Sequence, residues 1–422
     1  MLYPDCDRIG KEPKTLKTFF KSLRIIDGAG GVIEKGWLLI EDNQISEVGE
    51  GEPDLKYMGS EQGADITDLE GKTILPGLID CHVHLSLDGS PDPMTGLTAV
   101  PVAAATLKTA ANARLTLGAG ITTVRDAGSK DFIDIHMRDA VEAGIADGPR
   151  MACSGQMICI TGGHGHQMGC VADGPDEVRQ AVRKQMAAGV SWIKFMATGG
   201  VLTRGGKAGV PQLNPDELKA GIEEAHKLGL KTCAHSQSLE GTRNAVFAGI
   251  DSVEHGVSLD DAIIEEIIKR GTFLVPTFSA PFNIMTKGVG FGIPAEFVEK
   301  TKRLAEDHVA GISRARDAGA KIAMGTDAGT PFNRHGENAF ELVYLVGNGF
   351  SPQDAIICST SGAAELLGMA DTIGTIAAGR RADLMIVDGN PLEDISLLTD
   401  KKRIWGVYKD GRKVNGPAQV FH

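Results

Sequence analysis

The chain of 422 residues has no long lysine- and arginine-rich run, and its formal net charge is -12. Both features argue against a nucleic-acid surface. Near the amino end it lacks any sustained apolar stretch, since "MLYPDCDRIGKEPKTLKTFF" is polar and charged. That excludes a signal sequence or membrane span there, although a native leader ahead of this chain stays compatible with it. Cysteine is sparse and unpatterned. Cys6, Cys81, Cys153, Cys159, Cys170, Cys233 and Cys358 are odd in number and show no CxxC spacing. This is the usage of reduced thiols in a cytoplasmic protein, not of a disulfide framework. No internal repeat or low-complexity tract is present.

What the chain does contain is an ordinary globular composition, 42% hydrophobic and 23% charged, long enough for one large domain plus a smaller one. From about residue 76 to 368, short apolar runs alternate with helix-like ones. The strand candidates are "GLIDCHVHL", "GITTVRDAG", "RMACSGQMICI", "SWIKFMATGG", "LKTCAHSQS", "IDSVEHG", "GTFLVPTFSA" and "KIAMGTDAG". Helical runs such as "PDEVRQAVRKQMAAG" and "NPDELKAGIEEAHKLG" open on acidic, capped turns and close on glycine. Strands with interposed helices predict an α/β (β/α)8 TIM barrel, with a doubly wound sheet as second choice. Both chain ends are β-rich, and neither is long enough to bury a core alone. They are expected to pair into one small β-sandwich, residues 1–75 and 369–422, flanking a barrel of residues 76–368.

Polar residues gather at the predicted carboxyl ends of these strands. His82 and His84 share one face of the first, because strand side chains alternate. Lys194 lies in the fourth, where an unpaired ammonium among apolar neighbours is costly. His235 closes the fifth, His255 the sixth and Asp327 the eighth. A barrel enzyme keeps its chemistry on that rim.

The set HxH, Lys, His, His and Asp, with "LPGLIDCHVHL" and "GTIAAGRRADLMIVD", resembles the amidohydrolase superfamily. "TGGHGH" and "KFMATGGV" are similar to its imidazolonepropionase-related branch, which holds prolidase-like and carboxy-terminal dipeptidases and ochratoxin-type amidases. The resemblance implies two divalent metal ions: one on His82, His84 and Asp327, the other on His235 and His255. Lys194 would bridge them as a CO2-derived carbamate. Zinc suits the imidazole-rich set, with manganese or cobalt as alternatives. The implied reaction is hydrolysis of an amide, in a dipeptide or N-acyl amino acid, by a metal-activated water, with Asp327 as general base. A mononuclear cyclic-amide hydrolase or deaminase is the alternative, and phosphotriester hydrolysis a conceivable side activity. A metal-free scaffold role is disfavoured by the filled ligand positions. A homo-oligomer is expected by the same resemblance, with no nucleic-acid or membrane partner.

Loops at the rim supply candidate substrate contacts. His164, with His166 as its companion, stands in "ITGGHGHQMG" and is expected to hold the scissile carbonyl. Arg204 (with Lys207 nearby) and Arg334 (beside His335) could grip a substrate carboxylate. His136, His226 and His308 fall on predicted helices away from the rim and read as structural or surface residues.

Overall fold

A computed structural model describes residues 17–54 and 65–414; Cys6 lies outside them. Runs rich in Ile, Leu and Phe form β1 (Lys17–Ile26), β2 (Val32–Glu41) and β3 (Gln44–Glu50), followed by β4 (Asp65–Asp68) and β5 (Lys72–Pro76). The central strands begin with β6 (Leu78–Val83), β7 (Ile121–Asp126), β8 (Arg150–Cys153), β9 (Ile158–Cys159) and β10 (Cys170–Val171). They continue as β11 (Trp192–Met196), β12 (Lys231–Ser236), β13 (Ser252–His255) and β14 (Phe273–Val275). The carboxyl end returns to strands as β15 (Leu384–Asp388), β16 (Ile404–Lys409) and β17 (Arg412–Lys413).

The central strands run parallel with helices between them, an arrangement of the TIM-barrel type. Their ladder does not close. It is divided into β6-β7-β8 and β10-β9-β11-β12-β13-β14. At one seam the Ser191 N–H donates to the Cys153 carbonyl at 3.0 Å. At the other, "KIAMGTDAG" was expected as a full strand but makes only isolated bridges, Ile322 to Leu274 and Ala328 to Val83. The reason is local. Asp327 has φ +60°, and the Thr326 N–H and hydroxyl both turn to the Asp80 carboxylate. The segment also packs very closely, since a Cβ on Gly325 would lie 2.3 Å from Val275 and 2.8 Å from His82.

The helices follow the sequence signals. Pro175–Ala188 starts on proline with Asp176 and Glu177 in its first turn, and ends at Gly189 in the left-handed region. Pro215–Lys227 is opened by a capping box of Asn214 and Glu217. Their buried faces, Val178 and Val182 on one and Leu218 and Ile222 on the other, join Ile193, Phe195 and Val253 from the strands in the main core. Among the described residues no helix is long and apolar enough to cross a membrane.

Both chain ends pair together, in the order β17-β16-β15-β5-β1-β2-β3 with β4 also on β1. Where two facing sheets were expected, the strands form one hydrogen-bonded sheet that curls. β1 and β16 are three strand steps apart, roughly 14 Å in a flat sheet. Yet the Phe20 and Tyr408 rings are 5.4 Å apart. The outer strand returns to the segment before β15 through the Ile45 N–H to the Arg380 carbonyl at 2.8 Å. The enclosed core includes Phe20, Leu38, Ile40, Ile74, Leu384 and Ile386.

Candidate active site

His82 and His84 share a face of β6, and each ring is held through Nδ1. His82 meets Glu254 Oε2 at 2.7 Å, and His84 meets the Gly128 carbonyl at 2.8 Å. An Nδ1 proton donated to each oxygen leaves both Nε2 lone pairs facing inward. Asp327 Oδ1 lies 3.5 Å from His82 Nε2 and 3.4 Å from His84 Nε2. One ligand atom from each of the three lies within 4.8 Å of the others. Lys194 Nζ is 3.4 Å from His82 Nε2 and the residue is 1% exposed. Burial pushes its ammonium below the ordinary pKa, against the opposing pull of Glu254.

His235 Nδ1 and His255 Nε2 are 2.9 Å apart, and His255 Nδ1 lies 2.7 Å from the Thr277 hydroxyl. Burial drives both rings well below the ordinary histidine pKa, so they are neutral. Backbone geometry explains how they converge. His255, Thr277 and Asp327 have φ of +69°, +57° and +60°, a region that non-glycine residues seldom adopt outside functional sites. The kink at His255 breaks strand alternation, so Glu254 and its immediate neighbour both reach the centre.

The donor set fits divalent metal ions. Neutral imidazoles and a carboxylate are suitable ligands, and two donors on one tetrahedral ion sit about 3.3 Å apart. The observed spacings of 2.9, 3.4 and 3.5 Å bracket that value. Burial raises the Asp327 acid to about 7, with Lys194 countering.

Sequence reasoning passes over the layer behind these residues. Arg125, fully buried, donates to Glu254 Oε1 at 2.6 Å, to the Cys81 carbonyl at 2.6 Å and to the Ser252 hydroxyl at 2.9 Å. Its guanidinium also lies 4.5 Å from the Trp192 ring centre. Glu254 thereby joins Arg125 to His82. The signal was available: a charged side chain inside "GITTVRDAG" or "IDSVEHG" is as anomalous as Lys194. Asp80 accepts from the His82 N–H at 3.0 Å and from Asn338 Nδ2 at 2.8 Å, tying the first strand to the last segment.

His164 lies beside this group, its ring centre 4.4 Å from that of His235. Its Nδ1 meets the Thr203 hydroxyl at 2.8 Å, and that oxygen accepts the Gly200 N–H at 3.1 Å. With that hydroxyl giving its proton to Nδ1, Nε2–H is left as a donor. Burial lowers the His164 pKa to about 3, so the ring is neutral. A Cβ on Gly200 would come within 2.4 Å of His164 Nε2, so glycine makes room for the ring.

These groups open into a cavity. Leu87, Met94, Met157, Met168 and Met196 form one apolar wall, and Val201, Leu202, Ile284 and Leu304 another. Lys194 and Asp327 are the only charged side chains among the described residues that line it. The expected arginines stand elsewhere. Arg204 is exposed, paired with Asp92 and 5.8 Å over the Phe297 ring. Arg334 is exposed and borders a separate cleft with Phe282, Phe291 and Tyr344. His166 is exposed and bonds the Gly163 carbonyl of its own turn at 2.8 Å. Lys207 is exposed, and His335 is buried against the Leu87 carbonyl at 3.0 Å. His136 is exposed and His226 pairs with Asp251, as a surface role requires. His308 departs from expectation. The helix Ala295–Asp317 packs over the strand ends and carries it into the cavity lining, 3% exposed.

Residues 73–414 match the amidohydrolase family. Ochratoxinase of Aspergillus niger is 31% identical, with 93% of this chain and 86% of that protein covered. The crystal structure of a Xaa-Pro dipeptidase with bound methionine in the active site is 32% identical, with a TM-score of 0.86 over 95% of this chain and 100% of that one. The crystal structure of A. niger ochratoxinase gives a TM-score of 0.84 at 28% identity, over 96% of this chain and 97% of its own. With the family match spanning most of its length, the chain belongs to the amidohydrolase family.

Proposed function

We propose that the chain is a binuclear metal-dependent amide hydrolase acting on a dipeptide or N-acyl amino acid with a bulky apolar group. The observation that carries this reading is the convergence of His82, His84, Lys194, His235, His255 and Asp327 at one apolar cavity. His82, His84 and Asp327 would hold one ion, and His235 and His255 the other. Lys194, as a carbamate, would hold both; its buried, depressed amine suits carbamate formation. Bound zinc ions would acidify a water and polarise the scissile carbonyl.

The protein's own groups do the rest. Asp327 takes the proton from the attacking water and returns it to the departing amine. Neutral His164 donates Nε2–H to the carbonyl oxygen as charge develops there. Glu254 and Arg125 keep His82 in the required tautomer. The two apolar walls seat the substrate's large group and exclude water. Arg204 and Arg334 lie outside the lining, which leaves neither in position to grip a carboxylate there. In this reading residues 76–368 carry the chemistry, and 1–75 with 369–422 brace it. The free cysteines favour a reducing, cytoplasmic setting, and we expect a homo-oligomer.

The test is a substrate panel of dipeptides and N-aroyl amino acids offered to zinc-loaded enzyme. Hydrolysis of apolar N-acyl amino acids is expected. Turnover confined to uncharged cyclic amides or aminated heterocycles would overturn the proposal.

A further inference from the structure

Thr203 stands in the glycine-rich segment after β11, within "TGGVLTRGG", and its hydroxyl makes two contacts. The oxygen accepts the Gly200 N–H at 3.1 Å and meets His164 Nδ1 at 2.8 Å. Accepting from Gly200 still leaves the hydroxyl a proton to give, and His164 Nδ1 is its one acceptor among the described residues. Nδ1 in turn has no other partner among them. The His164 ring is half-buried and lines the cavity, so the nitrogen that carries its proton decides what it offers a substrate.

Thr203 is itself held from outside the strands. Lys300, on the helix Ala295–Asp317, donates from Nζ to the Thr203 carbonyl at 2.6 Å. Glu296, one turn earlier on that helix, pairs with Lys300 at 3.4 Å and accepts the Gly205 N–H at 3.3 Å. The Lys300 side chain is largely buried, which shields its bond from water. Between these two contacts Arg204 ties the segment to Asp92. Residues 203 to 205 are therefore fixed one after another, while Val201 and Leu202 just before them form part of the cavity wall. Neither Thr203 nor Lys300 lines the cavity. Any part they take in the reaction runs through His164.

We propose that Thr203 is a positioning residue: its hydroxyl gives its proton to His164 Nδ1 and so keeps Nε2–H as the donor, and Lys300 seats Thr203 for this task. The use of that donor rests on the amide-hydrolase reading, whereas the tautomer can be read with no substrate present. Loss of the hydroxyl should lower kcat about fivefold, the worth of one neutral hydrogen bond, with KM little changed because the donor acts as charge develops.

The experiment uses zinc-loaded proteins with isotope-labelled histidine nitrogens: wild type, His164→Gln to assign the ring, Thr203→Val, Thr203→Ser and Lys300→Met. Two-bond proton–nitrogen NMR spectra tell a protonated ring nitrogen from a bare one. His164 should carry its proton on Nε2 in wild type and Thr203→Ser, and should lose that single tautomer in Thr203→Val. On the best substrate of the dipeptide and N-aroyl panel, kcat should fall about fivefold in Thr203→Val and recover in Thr203→Ser, with bound zinc unchanged. Lys300→Met should lower kcat alone and add no loss to Thr203→Val. Thr203→Ala replaces the valine variant if that fails to fold. A wild-type ring protonated on Nδ1, or a Thr203→Val protein that keeps the wild-type tautomer, overturns the proposal. Loss of zinc in Thr203→Val would mark a merely structural role and overturn it too. Losses that multiply in the Lys300→Met/Thr203→Val double variant overturn the part given to Lys300. If no compound of the panel is hydrolysed, the amide reading fails, and the tautomer spectra alone decide the role of Thr203.

Discussion

The buried pair Arg125–Glu254 gives the clearest energetic test. Both side chains are fully buried, 2.6 Å apart, and Glu254 also holds His82 Nδ1 at 2.7 Å. Glu254→Gln leaves the Arg125 guanidinium without its counter-charge, and Arg125→Met leaves the carboxylate so. Each single change should cost about 3–5 kcal/mol, because most of the loss is the penalty of an uncompensated buried charge. The double variant Arg125→Met/Glu254→Gln contains neither charge. It should be at least about 2 kcal/mol more stable than the sum of the singles predicts. Urea unfolding of the metal-stripped proteins measures all four corners of the cycle. A second readout separates support of the site from support of the fold. Glu254→Gln weakens the hydrogen bond that orients His82, so metal affinity should fall by about 10–100-fold. Strict additivity in the cycle, together with unchanged metal affinity, would refute the assigned linkage from Arg125 through Glu254 to His82.

Further expectations concern other parts of the molecule. Gly200→Ala drives a methyl group into the His164 ring and should lower kcat by about 100-fold or more, as for loss of one oxyanion donor, with metal content retained. An unchanged kcat would remove His164 from that role. Stripping the metals with a chelator should lower the thermal midpoint, and zinc should restore it, because ligands that bind only the folded state stabilise it. The Asp251 hydrogen bond raises the pKa of His226 above 6.5. Its contribution to stability is present below pH 6.5 and lost as pH rises through that raised pKa. An NMR titration should show the elevated value, falling back toward 6.5 in Asp251→Asn.

Much of the site was legible because it follows from strand periodicity. Alternation pairs His82 with His84, and the strand ends bring His235, His255 and Asp327 to one rim. Lys194 was conspicuous as a lone charge in an apolar strand. The same anomaly marks Arg125 and Glu254, each one residue from the end of its strand, and both went unremarked. His308 was misplaced because a helix periodicity does not say which neighbour the helix covers. Its position depends on the packing of Ala295–Asp317 over the strand ends. Arg204 and Arg334 show the limit for loops. Proximity in sequence to the rim does not determine which way a long side chain turns, and Asp92 claims Arg204. The break in the expected last strand comes from the positive φ of Asp327 and the Thr326–Asp80 contacts, neither visible in a hydrophobic pattern.

The central claim is that Lys194 joins two metal ions into one hydrolytic centre. Metal content per chain, measured on active wild type and on Lys194→Ala, tests it most directly. The account predicts two ions per wild-type chain, with loss of at least one in Lys194→Ala along with turnover, and partial recovery on adding short carboxylates. Active wild type with less than one ion per chain, or Lys194→Ala with full activity and no added carboxylate, would contradict it.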